Sequence, residues 1–115
     1  MMRRRTPRWL GLVILALVAT ACSTPGASAS PVKTAQVDLP PSYVFQPAVV
    51  EVARGSTVTW TNHDNFTHSV QVQGQSDVHM LSPGQTTQIR FEQPGTYAYV
   101  CTLHTQNMKG TVVVD

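Results

Sequence analysis

A thiol, an imidazole and a thioether stand within eight residues of one another near the end of the chain, at Cys101, His104 and Met108. A loop of this length can bring all three side chains to a common point, and the next strand, expected over 110–114, would hold its far end. Sulfur ligands combined with imidazole favour copper over hard cations such as Mg²⁺. The spacing therefore predicts a copper site in this loop.

A fourth ligand must come from elsewhere, and His68 is the preferred candidate. The residues that follow it, Ser69-Val-Gln-Val72, are typical of a strand, and a strand fixes the direction of its side chains. His63, in the preceding loop, is the alternative. Two imidazoles and one thiolate make a trigonal set with the thioether in a weak axial position, and this set favours one copper ion and accepts both Cu(I) and Cu(II). Such a set has no open position for substrate, so we do not expect an enzyme.

Taken singly, each of these residues has a simpler explanation. A lone methionine is often core filler, and a buried cysteine often behaves as a small hydrophobe. Their combination within eight residues is what favours ligation. His79 and Met80 precede a Pro-Gly turn and are interpreted as an exposed loop, with a transient copper-loading contact as the alternative.

The elements that must position these residues are short β-type runs. Val58 and Trp60 alternate with threonine, and Ile89 and Phe91 alternate with polar residues. Turn signals recur between the runs and no helical period is sustained. This spacing predicts an all-β fold, an antiparallel β-sandwich. An immunoglobulin-like sandwich is the alternative, because Tyr-x-Cys101 is similar to its tyrosine corner, but no second strand cysteine is present to form the disulfide.

The first part of the chain has the composition of an export signal. A basic start and the apolar run 9–21 predict a signal peptide over 1–21. Cys22 follows at the position of lipid attachment in bacterial lipoproteins, and lipid chains would anchor the protein to a membrane. An ordinary cleaved signal is the alternative. The Ser/Pro/Ala-rich segment 22–34 is expected to be a flexible linker, and 35–115 the folded domain.

Charge and cysteine count narrow the function further. The net charge is +2, but four of the eight basic residues lie in the expected signal, which leaves four against six acidic residues. This balance excludes a basic nucleic-acid interface. If Cys22 carries lipid, Cys101 has no disulfide partner, and an unpaired thiol in an exported protein is a candidate ligand.

Residues 43–115 resemble the plastocyanin-like cupredoxins of bacteria, with amicyanin and pseudoazurin as relatives. The resemblance lies in Gly55-x-x-Val-x-Trp-x-Asn62, the upstream His68, Pro94-Gly-Thr-Tyr-x-Tyr-x-Cys101, and then His104, Met108 and Gly110. It implies a Greek-key β-sandwich of seven to eight strands with type 1 copper at one end. It also implies an electron carrier, a monomer that shuttles single electrons between larger redox proteins outside the cytoplasm. A periplasmic copper carrier or storage protein without electron transfer is the alternative.

The resemblance also suggests residues that support the site. Many relatives have asparagine after the first histidine ligand, where this chain has Ser69, and we expect Ser69 to join the ligand strand to the cysteine loop. Asn62 is a second expected supporting residue. The outer edge of His104 is the expected electron exit, and Leu103 with Leu81 and Pro83 forms a candidate apolar docking patch.

Overall fold

The computed structural model describes Gly11 and residues 30–105 and 107–115. Cys22, most of the linker and, except for Gly11, the expected signal peptide lie outside the described residues. Nine strands form this part of the chain, one more than the upper expectation, because the two-residue β1 adds to the count. They are β1 (Val32–Lys33), β2 (Gln36–Leu39), β3 (Val49–Val52), β4 (Ser56–Asn62), β5 (His68–Val72), β6 (His79–Leu81), β7 (Thr86–Phe91), β8 (Gly95–Val100) and β9 (Lys109–Val114). The first strand thus begins before residue 35, where the domain was expected to start.

The strands form two sheets, and the predicted β-sandwich is confirmed. The larger sheet has the order β1-β3-β9-β8-β5-β6, and the smaller has β2-β4-β7. The expectation of purely antiparallel pairing is wrong at three places, since β1–β3, β3–β9 and β2–β4 are parallel. The chain passes from one sheet to the other between β1, β2 and β3, so these strands cannot pair as consecutive hairpins. No helix able to span a bilayer occurs in the described part of the chain.

The core lies between the two sheets and follows the predicted alternation. In β4, Val58, Trp60 and Asn62 are buried while the residues between them are more exposed. The largest buried side chains are those of Trp60 and Tyr99. Their rings meet edge to face with centroids 5.2 Å apart, and Phe45 packs against Tyr99 in the same way at 4.8 Å. This aromatic cluster joins the smaller sheet to the strand that leads into Cys101.

The Tyr99 hydroxyl is an unusual feature of this core. Among the described residues, neither this hydroxyl nor the Trp60 indole N–H has a hydrogen-bond partner. Burial raises the pKa of Tyr99 to about 12, although the nearby Trp60 side chain offsets part of the rise. The folded protein therefore holds the phenol proton more tightly than the unfolded chain, whose tyrosines titrate near pH 10.

This difference predicts a loss of stability in alkali. Below pH 10 both states keep the proton, but between pH 10 and 12 the unfolded chain releases it first, so the free energy of unfolding falls by about 3 kcal/mol. Tyr99→Phe should remove this component while costing little at pH 7, because the hydroxyl has no partner to lose. Denaturant unfolding at a series of pH values measures it, with the exposed Tyr43→Phe as control. Parallel alkaline losses in the wild type and Tyr99→Phe would contradict the prediction.

Candidate metal centre

The loop between β8 and β9 places Cys101 beside Met108. The two strands remain paired as far as Val100 and Lys109, so the loop is the closed end of a hairpin. The backbone N–H of Cys101 donates to the Met108 carbonyl at 3.1 Å, and the N–H of Met108 donates to the His104 carbonyl at 3.0 Å. Cys101 and Met108 are fully buried, whereas His104 is half-buried.

His68 reaches the same place from β5. That strand pairs with β8 through Gln71 and Val72, which sets its first residue next to Cys101. The Nδ1 atom of His68 lies 3.9 Å from the Cys101 sulfur, and the imidazole is fully buried. The rings of His68 and His104 have centroids 5.5 Å apart. The structure therefore brings His68, Cys101 and His104 into one region at the end of the sandwich.

The residues present fit a soft metal ion better than a hard one. The Cys101 sulfur is surrounded by the backbone N–H and hydroxyl of Ser69 and the buried imidazole of His68, and Met108 is buried just before β9. Within residues 30–105 and 107–115, no three His, Cys, Asp or Glu side chains converge closely enough to enclose an ion as they stand. The assignment of the four ligands remains a prediction.

The other two histidines lie elsewhere. His63 is on the surface, where its Nε2 is 3.2 Å from Oδ1 of Asp38 and both side chains are more than half exposed. The His79 imidazole is half-buried on β6, with Nδ1 3.2 Å from the Thr87 hydroxyl. His79 and Met80 were interpreted as an exposed loop, but both lie in a strand, where adjacent side chains point to opposite faces. This opposition does not favour a shared copper-loading contact.

Ser69 makes the contact with the cysteine loop that the sequence led us to expect. Its backbone N–H donates to the Cys101 sulfur at 3.4 Å, and its hydroxyl oxygen lies 3.8 Å from that sulfur. The same oxygen accepts from the Thr102 N–H at 2.8 Å and lies 2.7 Å from the Thr102 hydroxyl. Ser69 thus joins the start of β5 to Cys101 and to Thr102 after it, and the sulfur lies beside His68.

Asn62 organises the loop that precedes His68. Its side-chain N–H groups donate to the carbonyls of Phe66 at 2.8 Å and Leu81 at 2.9 Å. Its side-chain oxygen accepts from the Asp64 N–H at 2.9 Å. Asn62 is buried and touches the backbone of the loop rather than a candidate ligand. Asn62 therefore supports the site indirectly, through the backbone of the loop that precedes His68.

Asp64 is a residue of this site that the sequence analysis missed. Its Oδ2 lies 2.8 Å from Nε2 of His68, and both side chains are almost completely buried. The hydrogen bond from His68 lowers the pKa of Asp64, although burial acts in the opposite direction. The carboxylate is therefore ionised at neutral pH. The available sequence signal was a single acidic residue four positions before the histidine, in a segment otherwise interpreted only as a connecting loop.

The surface around His104 differs from the expected patch. Leu103 is exposed and Pro83 is exposed, but Leu81 is fully buried and cannot belong to a docking surface, because it packs into the core from β6. Tyr43 occupies this region instead, with its ring edge-on to His104 at a centroid distance of 4.7 Å. Phe66 stacks beside Tyr43 at 6.1 Å and is 59% exposed. Neither aromatic residue falls in a strand, so no periodic pattern in the sequence indicated it.

Comparisons with known proteins agree with the fold. The Cupredoxin-like domain family matches residues 12–114. Amicyanin-alpha of Methylorubrum extorquens is 43% identical over 77 residues, which are 62% of this chain and 64% of the relative, so the chain spans just under two thirds of that protein. Plastocyanin of Scenedesmus fuscus is 34% identical over 85 residues, 63% of this chain and 87% of the relative. A solved Cu(I) structure of an amicyanin variant is similar with a TM-score of 0.63 and 31% identity, covering 70% of this chain and 80% of that one.

Proposed function

The chain belongs to the cupredoxin-like domain family, and from this premise we propose that it is an electron carrier that works through one type 1 copper ion. The proposed ligands are His68, Cys101, His104 and Met108. One observation carries the proposal: a buried thiol faces the Nδ1 atom of a buried imidazole at 3.9 Å, at the end of the sandwich where the His104 and Met108 loop closes.

The types of donor group favour a redox role. Two imidazoles, a thiolate and a thioether accept both Cu(I) and Cu(II), and bound copper would supply a reversible one-electron centre. The protein's own contribution is to hold these donors in place. Ser69 and the Cys101–Met108 backbone hydrogen bond fix the sulfur, and the buried surroundings keep water away. No position is left open for a substrate, so we do not propose catalysis.

We propose that electrons enter and leave through His104. Its imidazole is the half-buried member of the ligand set, and the exposed side chains of Leu103, Tyr43 and Phe66 lie on that side of the molecule. A small apolar surface suits brief encounters with larger redox proteins, which form weak interfaces. The protein would act as a monomer in such encounters.

The expected location follows from the first residues of the chain. A signal peptide over 1–21, lipid on Cys22 and a short linker would place the folded domain outside the cytoplasm, at the outer face of the cytoplasmic membrane or in the periplasm. The relatives support an exported protein only in general terms. Mass measurement of the mature protein, with and without Cys22→Ala, would test the lipid anchor.

The proposed function is tested by colour and redox cycling. The purified protein is loaded with Cu(II), and we expect an intense visible thiolate-to-copper absorption that disappears on reduction and returns on oxidation. Cys101→Ser should abolish the absorption, because a hydroxyl cannot replace the thiolate. His68→Gln should also lose it, whereas the matched variant His63→Gln should keep it, since His63 pairs with Asp38 on the surface.

Two results would overturn the assignment. Tight Cu(I) binding without a stable coloured Cu(II) form would indicate a copper carrier or storage protein. Loss of colour in His63→Gln but not in His68→Gln would show that the wrong histidine has been assigned.

A further inference from the structure

The buried hydrogen bond between Asp64 and His68 has no counterpart at the other Asp–His contact among the described residues. The Asp64 and His68 side chains are 4% and 0% exposed, and Oδ2 lies 2.8 Å from Nε2. The other Asp–His pair, Asp38 with His63, lies at 3.2 Å with both side chains more than half exposed. A pair in water is worth little, but a buried carboxylate beside an imidazole acts strongly on it.

Hydrogen bonds to both oxygens fix the orientation of the Asp64 carboxylate. Its Oδ1 accepts from the Asn65 N–H at 2.7 Å, which leaves Oδ2 to face His68. The backbone of Asp64 is in turn held by the side chain of Asn62. One side of the carboxylate is therefore held by the loop backbone and the other by the His68 ring, which is its one side-chain partner among the described residues.

This arrangement selects one tautomer of His68. The carboxylate accepts a hydrogen bond, so of the two neutral tautomers it favours the one with the proton on Nε2, in which Nδ1 keeps a free lone pair. Nδ1 is the atom that faces the Cys101 sulfur at 3.9 Å. Hydrogen bonding at one ring nitrogen commonly sets the orientation of a metal-binding histidine through the other.

We propose that Asp64 is a positioning residue for the copper site, which holds His68 with Nδ1 toward the metal and whose negative charge favours Cu(II) over Cu(I). The effect of the charge on Cu(II) and Cu(I) rests on the proposed function, whereas the tautomer of His68 can be measured without copper. A buried charge interacts across the imidazole at an effective dielectric well below that of water. It therefore stabilises the more positive ion.

The test separates the hydrogen bond from the charge. In Asp64→Asn the side-chain oxygen can still accept from Nε2, although the bond from the Asn65 N–H is then lost, and the charge is gone. We expect the preference for Cu(I) over Cu(II) to rise about tenfold, which is a potential higher by about 59 mV for one electron. Asp64→Glu should return the potential toward the wild type. Asp38→Asn is the matched control, because it removes an equal charge beside a histidine on the surface.

The tautomer is read from the ¹⁵N chemical shifts of the His68 ring in the protein without copper. We expect the Nε2–H form in the wild type and in Asp64→Asn, and a mixture of the two forms in Asp64→Ala. An Nδ1–H ring in the wild type would overturn the positioning role. Equal potentials for Asp64→Asn, Asp38→Asn and the wild type would overturn the charge effect. If the wild type forms no coloured Cu(II) site, the proposed function fails, while the ring shifts still decide the positioning role.

Discussion

Asn62→Ala is expected to lower the free energy of unfolding by about 4 kcal/mol. The substitution removes three hydrogen bonds at once, two from the side-chain N–H groups to the carbonyls of Phe66 and Leu81 and one from the Asp64 N–H, and the last two of these are buried. Each buried polar group left unpaired costs about 1–3 kcal/mol, and the smaller side chain also leaves a cavity. Few single substitutions in a domain of this size would cost more.

The site should suffer along with the fold. Asn62 holds the loop that carries Asp64, so its loss should loosen His68 and weaken copper binding. Urea denaturation gives the stability change, and copper titration gives the second effect. Asn65→Ala is the matched control in the same loop, because the Asn65 side chain is exposed and its backbone N–H still reaches Asp64. Equal costs for the two variants would contradict the role assigned to Asn62.

Gly110→Ala is expected to lower the free energy of unfolding by about 3 kcal/mol. Gly110 lies opposite Tyr99 in the β8–β9 pair, and the Tyr99 ring covers it. A Cβ added at Gly110 would fall 2.7 Å from Cε2 of that ring and closer still to Cζ and the hydroxyl. The ring is packed against Phe45 and Trp60 and has little room to retreat, so the strands must separate.

A double-mutant cycle isolates this overlap. In a Tyr99→Ala background the space over Gly110 is open, and the additional cost of Gly110→Ala should nearly vanish. Urea denaturation of the four proteins measures the coupling. A cost of Gly110→Ala that is the same in both backgrounds would show that the backbone, and not the ring, requires glycine at this position.

The sequence analysis could predict those parts of the molecule that follow a local period. Alternation in β4 and β7 identified the faces that pack in the core. The spacing of Cys101, His104 and Met108 indicated a loop that closes on itself, and the structure has that closed loop. These features depend on residues near one another in the chain, so the local sequence pattern is enough to predict them.

Features that depend on distant segments were harder to predict. Leu81 was placed in the candidate docking patch with Leu103, but it pairs with His68 in the β5–β6 ladder and is buried there. Tyr43 contacts His104, which lies 61 positions later in the chain. Tyr43 itself has a φ of 54°, a turn conformation that a pattern of hydrophobic residues does not predict. Asp64 was overlooked because a single acidic residue in a polar loop is usually solvated.

The short edge strands of the larger sheet limit how readily two copies of this protein can pair their sheets. A border strand offers unpaired backbone groups to any neighbouring chain, and long, flat borders promote aggregation. In the described part of the chain, β1 offers two residues and β6 offers three. The longer β7, at the border of the smaller sheet, carries the charged and exposed Arg90. Neighbouring copies would therefore find little backbone along these borders with which to join their sheets.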